Sequence, residues 1–377
     1  MAGASDRRGT GAVSEQAHLK PLTSLRFFAA YWVVFYHYWP ALLAAFTPGL
    51  VAKGYLGVEL FFVLSGFILC HVYLAGFEAG RFRYAEFIWA RLARIYPMHL
   101  ATMAGIAVMG ALALASGLRI DPNVLSLAAL PANLALVQAW GLAPVAGWNH
   151  PSWSISAEWL AYLSFPAFAI AAARLAHRPW LAVVAAAMFL AALYAVFDRL
   201  AGFPLTHATI AWGALRIVPC FGLGCALHLA WRAHAAERRT ALAGALVCGL
   251  AVIALAQIGA PDVLIVAACA GLIFWLAQVS RTGSALGSSP ILVYLGEISY
   301  SIYMVCIPWQ LLFVNLAARV LHLPSKELPL YAWLILLAGP IPLAAATHHL
   351  IERPARVRMK LWRSSRQGHE IATETAR

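Results

Sequence analysis

The chain has 377 residues, of which 62% are apolar and only 11% charged, against roughly 25% charged in an average soluble domain. That balance excludes an ordinary soluble globule, which needs a polar coat, and a disordered chain, which needs low hydrophobicity and high charge. The net charge of +12 lies between and after apolar stretches rather than on one basic face, so it reads as a topology signal and gives no reason to expect a nucleic-acid partner.

The expected fold class is all-α, a polytopic bundle of about ten transmembrane helices in a lipid bilayer. The first twenty residues hold no apolar core of signal-peptide type and read as a cytoplasmic tail, 1–20, with no cleaved leader. The membrane domain runs over 21–360, and 361–377 reads as a flexible cytoplasmic tail. Crossing the hydrocarbon takes about 20 helical residues, and stretches of that scale lie at 24–46, 56–76, 97–118, 153–173, 180–197, 206–230, 241–257, 261–279, 291–317 and 330–350. The segment between Asp121 and Pro151, broken by proline and glycine, reads as a structured outer loop. With ten spans most lysines and arginines fall on the side of the two chain ends, which places both termini in the cytoplasm. Six cysteines, Cys70, Cys220, Cys225, Cys248, Cys269 and Cys306, sit in apolar runs without CxxC spacing and read as packing residues. No internal repeat is visible, which argues against a transporter built from inverted halves.

An ionisable side chain inside a span costs about 2.5 to 3.5 kcal/mol, so such residues mark function or tight pairing. In the first span Arg26 and His37 are eleven positions apart, some 20° from a whole number of turns and roughly 16 Å along the axis, so they share one face. Arg26 falls at the cytoplasmic mouth and His37 near mid-membrane. A snorkelling arginine with a satisfied core histidine is the plain alternative. The second span carries Glu59 in Gly57-Val58-Glu59-Leu60-Phe61-Phe62, either a structural partner of a cation or the carboxylate that orients His37. Arg91 and Arg94, three apart at the next interface, suit phosphate through their forked donors, or anionic lipid. Tyr96 follows them. In the fourth span Trp153, Ser154, Ser156 and Glu158 put a hydroxyl and a carboxylate four apart among aromatic rings near the outer boundary. Arg216 is a further buried cation, with Glu158 or Glu297 as its expected counter-ion. No HxxxH or HExxH pattern occurs, and His348 and His349, adjacent on a helix, point about 100° apart, so no metal is expected.

Taken in register, these blocks resemble the membrane-bound acyltransferase family 3, the O-acyltransferases of bacterial glycans and related acceptors. They are Leu25-Arg26 with His37, the run from Gly57 to Phe67, Arg91-x-x-Arg94-Ile95-Tyr96-Pro97, Trp153-Ser154-Ile155-Ser156-x-Glu158, Phe221-Gly222-Leu223-Gly224, Ile298-Ser299-Tyr300-Ser301-Ile302-Tyr303 and Ile351-Glu352-Arg353-Pro354. The resemblance covers about residues 20 to 360. One departure is Cys306, two residues before Pro308, where members often carry histidine.

The resemblance implies transfer of an acyl group, commonly acetyl, from acyl-CoA (acetyl-CoA) to a hydroxyl of a glycan or similar acceptor at the outer side, in a multi-pass protein of the bacterial cytoplasmic (inner) membrane. Arg91, Arg94, Arg26 and Tyr96 would bind the cofactor. His37, Glu59 and Arg26 would be the catalytic group, with His37 as base or as acyl carrier, and Trp153, Ser154, Ser156 and Glu158 would bind the acceptor. A homo-oligomer is compatible with all of this. The rival from another class is a proton-coupled transporter or flippase of a glycan or lipid-linked precursor, which also needs buried histidine, carboxylate and arginine.

Overall fold

The computed structural model describes residues 19–118 and 120–362; most of both expected tails lies outside them. Among the described residues there is no strand, only an isolated bridge between Leu42 and Leu328. The helices are α1 (Lys20–Tyr38), α2 (Gly49–Ala52), α3 (Gly57–Glu78), α4 (Tyr84–Ala115), α5 (Leu130–Leu134), α6 (Trp153–Leu163), α7 (Phe165–Leu175), α8 (Pro179–Ala201), α9 (Gly213–Ala233), α10 (Arg238–Gln257), α11 (Asp262–Val279), α12 (Pro290–Glu297), α13 (Ser299–Val320), α14 (Leu330–Ala338) and α15 (Pro340–Thr347), with a π turn at His348–Glu352.

Among the described residues eight helices are long and apolar enough to cross a membrane, or nine if α6 and α7 form one span bent by 58°. The chain is therefore an all-α, multi-pass membrane protein. The sequence predicts ten spans, and each has a helix or helix pair in its place; the difference in count is α1. Lys20, Arg26, His37 and three tyrosines make α1 too polar to qualify by composition, yet it is enclosed by α3, α11, α12, α13 and α14. Polar side chains are tolerated at membrane depth where protein, not lipid, surrounds them. The α6–α7 bend falls just before Pro166, which cannot donate a backbone hydrogen bond to the preceding turn, and Ser164 Oγ donates to the Leu160 carbonyl at 2.7 Å there.

One depth estimate changes. The sequence places His37 halfway along a span of 24–46, but α1 ends at Tyr38 and Trp39–Ala41 is a 3-10 turn. Pro40 has no N–H to continue the backbone ladder, and the chain leaves the helical region at Leu42, with φ −87° and ψ 133°. His37 thus stands in the last turn of α1. The stretch from Asp121 to Pro151 is a structured loop holding only α5 and short turns, as its prolines and glycines suggest.

Close approach of α3 and α9 builds the core beside the site. A Cβ on Gly66 would collide with the Phe221 carbonyl, and one on Gly224 with the Val63 carbonyl. Gly224→Val is expected to destabilise by about 1–3 kcal/mol or more through overpacking, read as a lower unfolding temperature in detergent. Gly76→Val is the matched control on α3, since nothing lies within 4 Å of the added Cβ.

Candidate functional site

A cavity of about 350 Å³ penetrates the bundle between α1, α3, α4, α6 and α13. Its α3 wall runs from Val58 through Phe61, Phe62, Leu64, Ser65, Ile68 and Leu69 to Val72, largely one helical face over roughly 21 Å of axis. Ser65 is the polar residue in this apolar stripe. Arg26, Arg91, Arg94, Arg356 and Lys360 converge on the same space. Arg26 lies near the start of α1, Val72 near the end of α3, and Arg356 and Lys360 after α15. The start of α1, the end of α3 and the stretch after α15 thus meet on one side of the bundle.

The cations are only partly neutralised. Arg91 Nη2 donates to Tyr73 Oη at 3.2 Å and its guanidinium lies over the Tyr73 ring at 5.5 Å, while its buried Nε has no partner. Arg94 lies 3.8 Å from Glu352 and 6.0 Å over the Tyr300 ring. Arg26 makes no hydrogen bond among the described residues; Arg94 repels it, and Glu352 and Glu158 attract it. Four guanidinium groups and one ammonium around one cavity are a donor set chemically suited to phosphate.

Two carboxylates stand in or behind the cavity. Glu158 accepts from Ser65 Oγ at 2.7 Å. Glu352, fully buried, accepts from Ser301 Oγ at 2.8 Å and His348 Nδ1 at 3.0 Å. Sequence reasoning quoted Glu352 as a motif residue but gave it no role. The available signal was its position four residues after His348, which the π turn keeps on one side; such turns recur at functional sites.

The expected acceptor-binding residues divide by helical face. Ser154 and Glu158, one turn apart, line the cavity together with the arginines instead of a separate outer pocket. Trp153 and Ser156 turn into the core. Trp153 lies under Arg216, 4.5 Å from guanidinium to ring, and Ser156 Oγ accepts the Ala139 backbone N–H at 3.0 Å. Tyr96 stands apart from the cavity, its hydroxyl donating to the Leu134 carbonyl at 3.0 Å.

Glu59 does not orient His37. It is fully buried against Arg216, with Arg216 Nη2 at 2.6 Å and Nε at 2.7 Å. Neither Glu158 nor Glu297, which is exposed, is the counter-ion of Arg216. Because breaking a buried pair leaves an uncompensated charge, Arg216→Ala is expected to cost about 3–5 kcal/mol. Arg216→Leu combined with Glu59→Leu should recover much of that loss, read as unfolding midpoints in detergent.

At the deep end the cavity stops at Ser154 and Tyr303. Ser154 Oγ donates to Tyr303 Oη at 2.8 Å, and Tyr303 donates to the Pro151 carbonyl at 2.9 Å. His37 does not line this cavity. Its carbonyl accepts from Gln310 Nε2 at 2.8 Å, Tyr36 packs edge-on against its ring at 5.2 Å, and His150 lies within electrostatic reach. His150 was missed by the sequence reading, since nothing in a lone Asn-His-Pro turn reveals that it folds back onto α1. Cys306 is buried, its Sγ donating to the Tyr303 carbonyl at 3.0 Å. No group of three metal-ligating side chains occurs among the described residues.

Residues 21–349 match the model of the acyltransferase domain family. The chain belongs to this acyltransferase family. It is similar to the protein named Acyltransferase MdmB of Streptomyces mycarofaciens, at 31% identity over 320 residues, covering 76% of this chain and 78% of that one. A shorter likeness, 43% over 56 residues, is to Protein 2 in picA locus of Rhizobium radiobacter, covering 15% of this chain and 29% of that protein. No solved structure matches the chain. The site just described is thus the polar interior of a membrane-embedded acyltransferase.

Proposed function

We propose that this acyltransferase draws its acyl group from acyl-CoA, acetyl-CoA in the simplest case, on the cytoplasmic side of a bacterial inner membrane and delivers it to a hydroxyl of a glycan or similar acceptor at the outer side. The observation that carries this reading is the gathering of Arg26, Arg91, Arg94, Arg356 and Lys360 around one cavity, with the buried Arg91 Nε lacking a hydrogen-bond partner and Arg26 making no hydrogen bond among the described residues. Uncompensated guanidinium groups in a bundle interior are costly, and a polyanionic ligand removes that cost. The phosphates of coenzyme A fit this donor set, and the apolar α3 stripe suits the pantetheine arm.

In this reading the thioester travels along the stripe to the Ser154–Tyr303–Pro151 wall, which opens for the transfer. His37, in the last turn of α1 at the opposite end from the mouth, takes the proton of the acceptor hydroxyl. The oxygen attacks the thioester carbon, the C–S bond breaks, and the thiolate leaves with the cofactor. Imidazole suits the role because one ring nitrogen can accept a proton while the other carries one. The test is purified protein in nanodiscs, radiolabelled acetyl-CoA and an envelope extract from cells lacking the gene. Thiol release coupled to label in the extract is expected; absence of both would reject the reading.

A further inference from the structure

Part-way down the arginine cavity stands a polar pair that phosphate binding does not explain. Ser65 Oγ donates to Glu158 Oε1 at 2.7 Å, and both residues line the cavity. A carboxylate repels phosphate, so Glu158 suits a neutral part of a ligand whose anionic part the arginines hold.

Helix α3 serves as a ruler for where that neutral part lies. Arg91 Nη2 donates to Tyr73 Oη at 3.2 Å, which puts Tyr73 at the level of the cations. Ser65 is eight residues before Tyr73, roughly 12 Å deeper along the axis. Phe61 is one further turn down, roughly 6 Å, and its ring meets Tyr303 edge-on at 6.5 Å, at the closed end of the cavity. Helix α6 repeats the last interval. Glu158 follows Ser154 by one turn, and Ser154 Oγ donates to the same Tyr303 at 2.8 Å. Two helices thus place the Ser65–Glu158 pair about two thirds of the way from the Arg91 level to the closed end.

Coenzyme A has a matching division. Its charge sits on the nucleotide phosphates, and a neutral pantetheine arm leads to the sulfur. Two amides interrupt that arm, the second nearer to the sulfur than to the diphosphate. An amide N–H drawn from water into an apolar channel is costly unless it meets an acceptor. The α3 wall is otherwise apolar, with Phe61, Phe62, Leu64, Ile68 and Leu69 flanking Ser65. A carboxylate accepts through two oxygens, and Ser65 occupies one of them.

We propose that Ser65 and Glu158 read the pantetheine arm, an assignment that rests on the acyl-CoA reading above. Glu158 accepts the N–H of the amide nearer the sulfur, and Ser65 fixes the carboxylate for that bond. The pair sets the depth of the cofactor, leaving about one helical turn for the thioester before Ser154 and Tyr303. It also selects coenzyme A thioesters over nucleotides that carry the same phosphates without the arm. The anion site alone gives no such preference.

The experiment titrates the full chain in nanodiscs with coenzyme A and with adenosine 3′-phosphate 5′-diphosphate, which keeps the nucleotide and its phosphates but lacks the arm. The readout is the ratio of the two affinities, because loss of folded protein or a disturbed set of arginines affects both ligands alike. Glu158→Leu is expected to lower the preference for coenzyme A about 10- to 10²-fold, with the nucleotide bound as tightly as before or more tightly. Glu158→Gln, close in shape and still an acceptor, should recover part of that preference, and Ser65→Ala should lower it in the same direction. An unchanged ratio in both Glu158→Leu and Glu158→Gln would overturn the assignment and leave Glu158 as a counter-charge for the arginines. A wild type that binds the nucleotide as tightly as coenzyme A would overturn it too. A wild type that binds neither ligand makes the acyl-CoA reading itself fail, so the two failures are distinct.

Discussion

Replacing Arg91 and Arg94 together by alanine is expected to weaken acetyl-CoA binding by about 10²–10⁴-fold, measured by calorimetry or filter binding on protein in nanodiscs. Hydrogen bonds to charged groups contribute about 1.5–3 kcal/mol each, and roughly 1.4 kcal/mol corresponds to tenfold in affinity. The pair is chosen because both line the cavity on one face of α4 and neither has a full counter-charge: Arg91 meets tyrosine rings, and Arg94 meets Glu352 only at 3.8 Å. Lysine at both positions should recover part of the loss, since an ammonium keeps the charge but not the forked geometry. Arg174→Ala with Arg178→Ala, away from the cavity, should leave binding unchanged. Unaltered binding in the Arg91/Arg94 variant, together with a reversed membrane topology, would instead assign these arginines to lipid anchoring.

The second large effect is at His37. His37→Ala is expected to abolish acyl transfer, by at least about 10²-fold for loss of a general base, while the protein inserts, folds and binds acetyl-CoA as before. Folding should survive because the ring is only half-buried and carries no side-chain hydrogen bond, and the α1 end is held through backbone groups: the His37 carbonyl by Gln310 and the Tyr38 carbonyl by the Trp333 indole at 2.9 Å. Asparagine at position 37 should be equally inactive. Normal transfer by His37→Asn would deny the imidazole any role in chemistry. The two variants separate the site into halves, one failing in binding and the other in turnover.

Helix placement was legible in the sequence wherever a stretch was both long and apolar, because burial of backbone in hydrocarbon leaves the helix as the only simple solution. It was least legible for α1, whose polarity makes sense only once the enclosing helices are known. Spacing singled out Arg26, Arg91, Arg94, Ser154 and Glu158 while leaving interfacial anchoring open for the arginines, and the five residues meet in one cavity. The sequence does not show that the two expected groups share one cavity, which follows from α6 turning Ser154 and Glu158 toward the arginines. Pairings across the bundle were out of reach: Glu59 with Arg216 spans 157 positions and Ser65 with Glu158 spans 93, and no local pattern encodes either. The roles of Arg356, Lys360 and Glu352 depended on where the last helix returns. His150 was hidden because a loop residue's neighbours are set by the turn that carries it, here by Trp148 and Asn149 against α13.

The most direct measurement is mass spectrometry of envelope glycans and lipids from cells carrying the intact gene, the His37→Ala allele or the Arg91→Ala/Arg94→Ala allele. An alkali-labile acyl increment present with the intact gene and missing from both variants is the expected result. An increment that persists undiminished in either allele would contradict acyl transfer from a cofactor held by the arginine cavity to an acceptor served by His37.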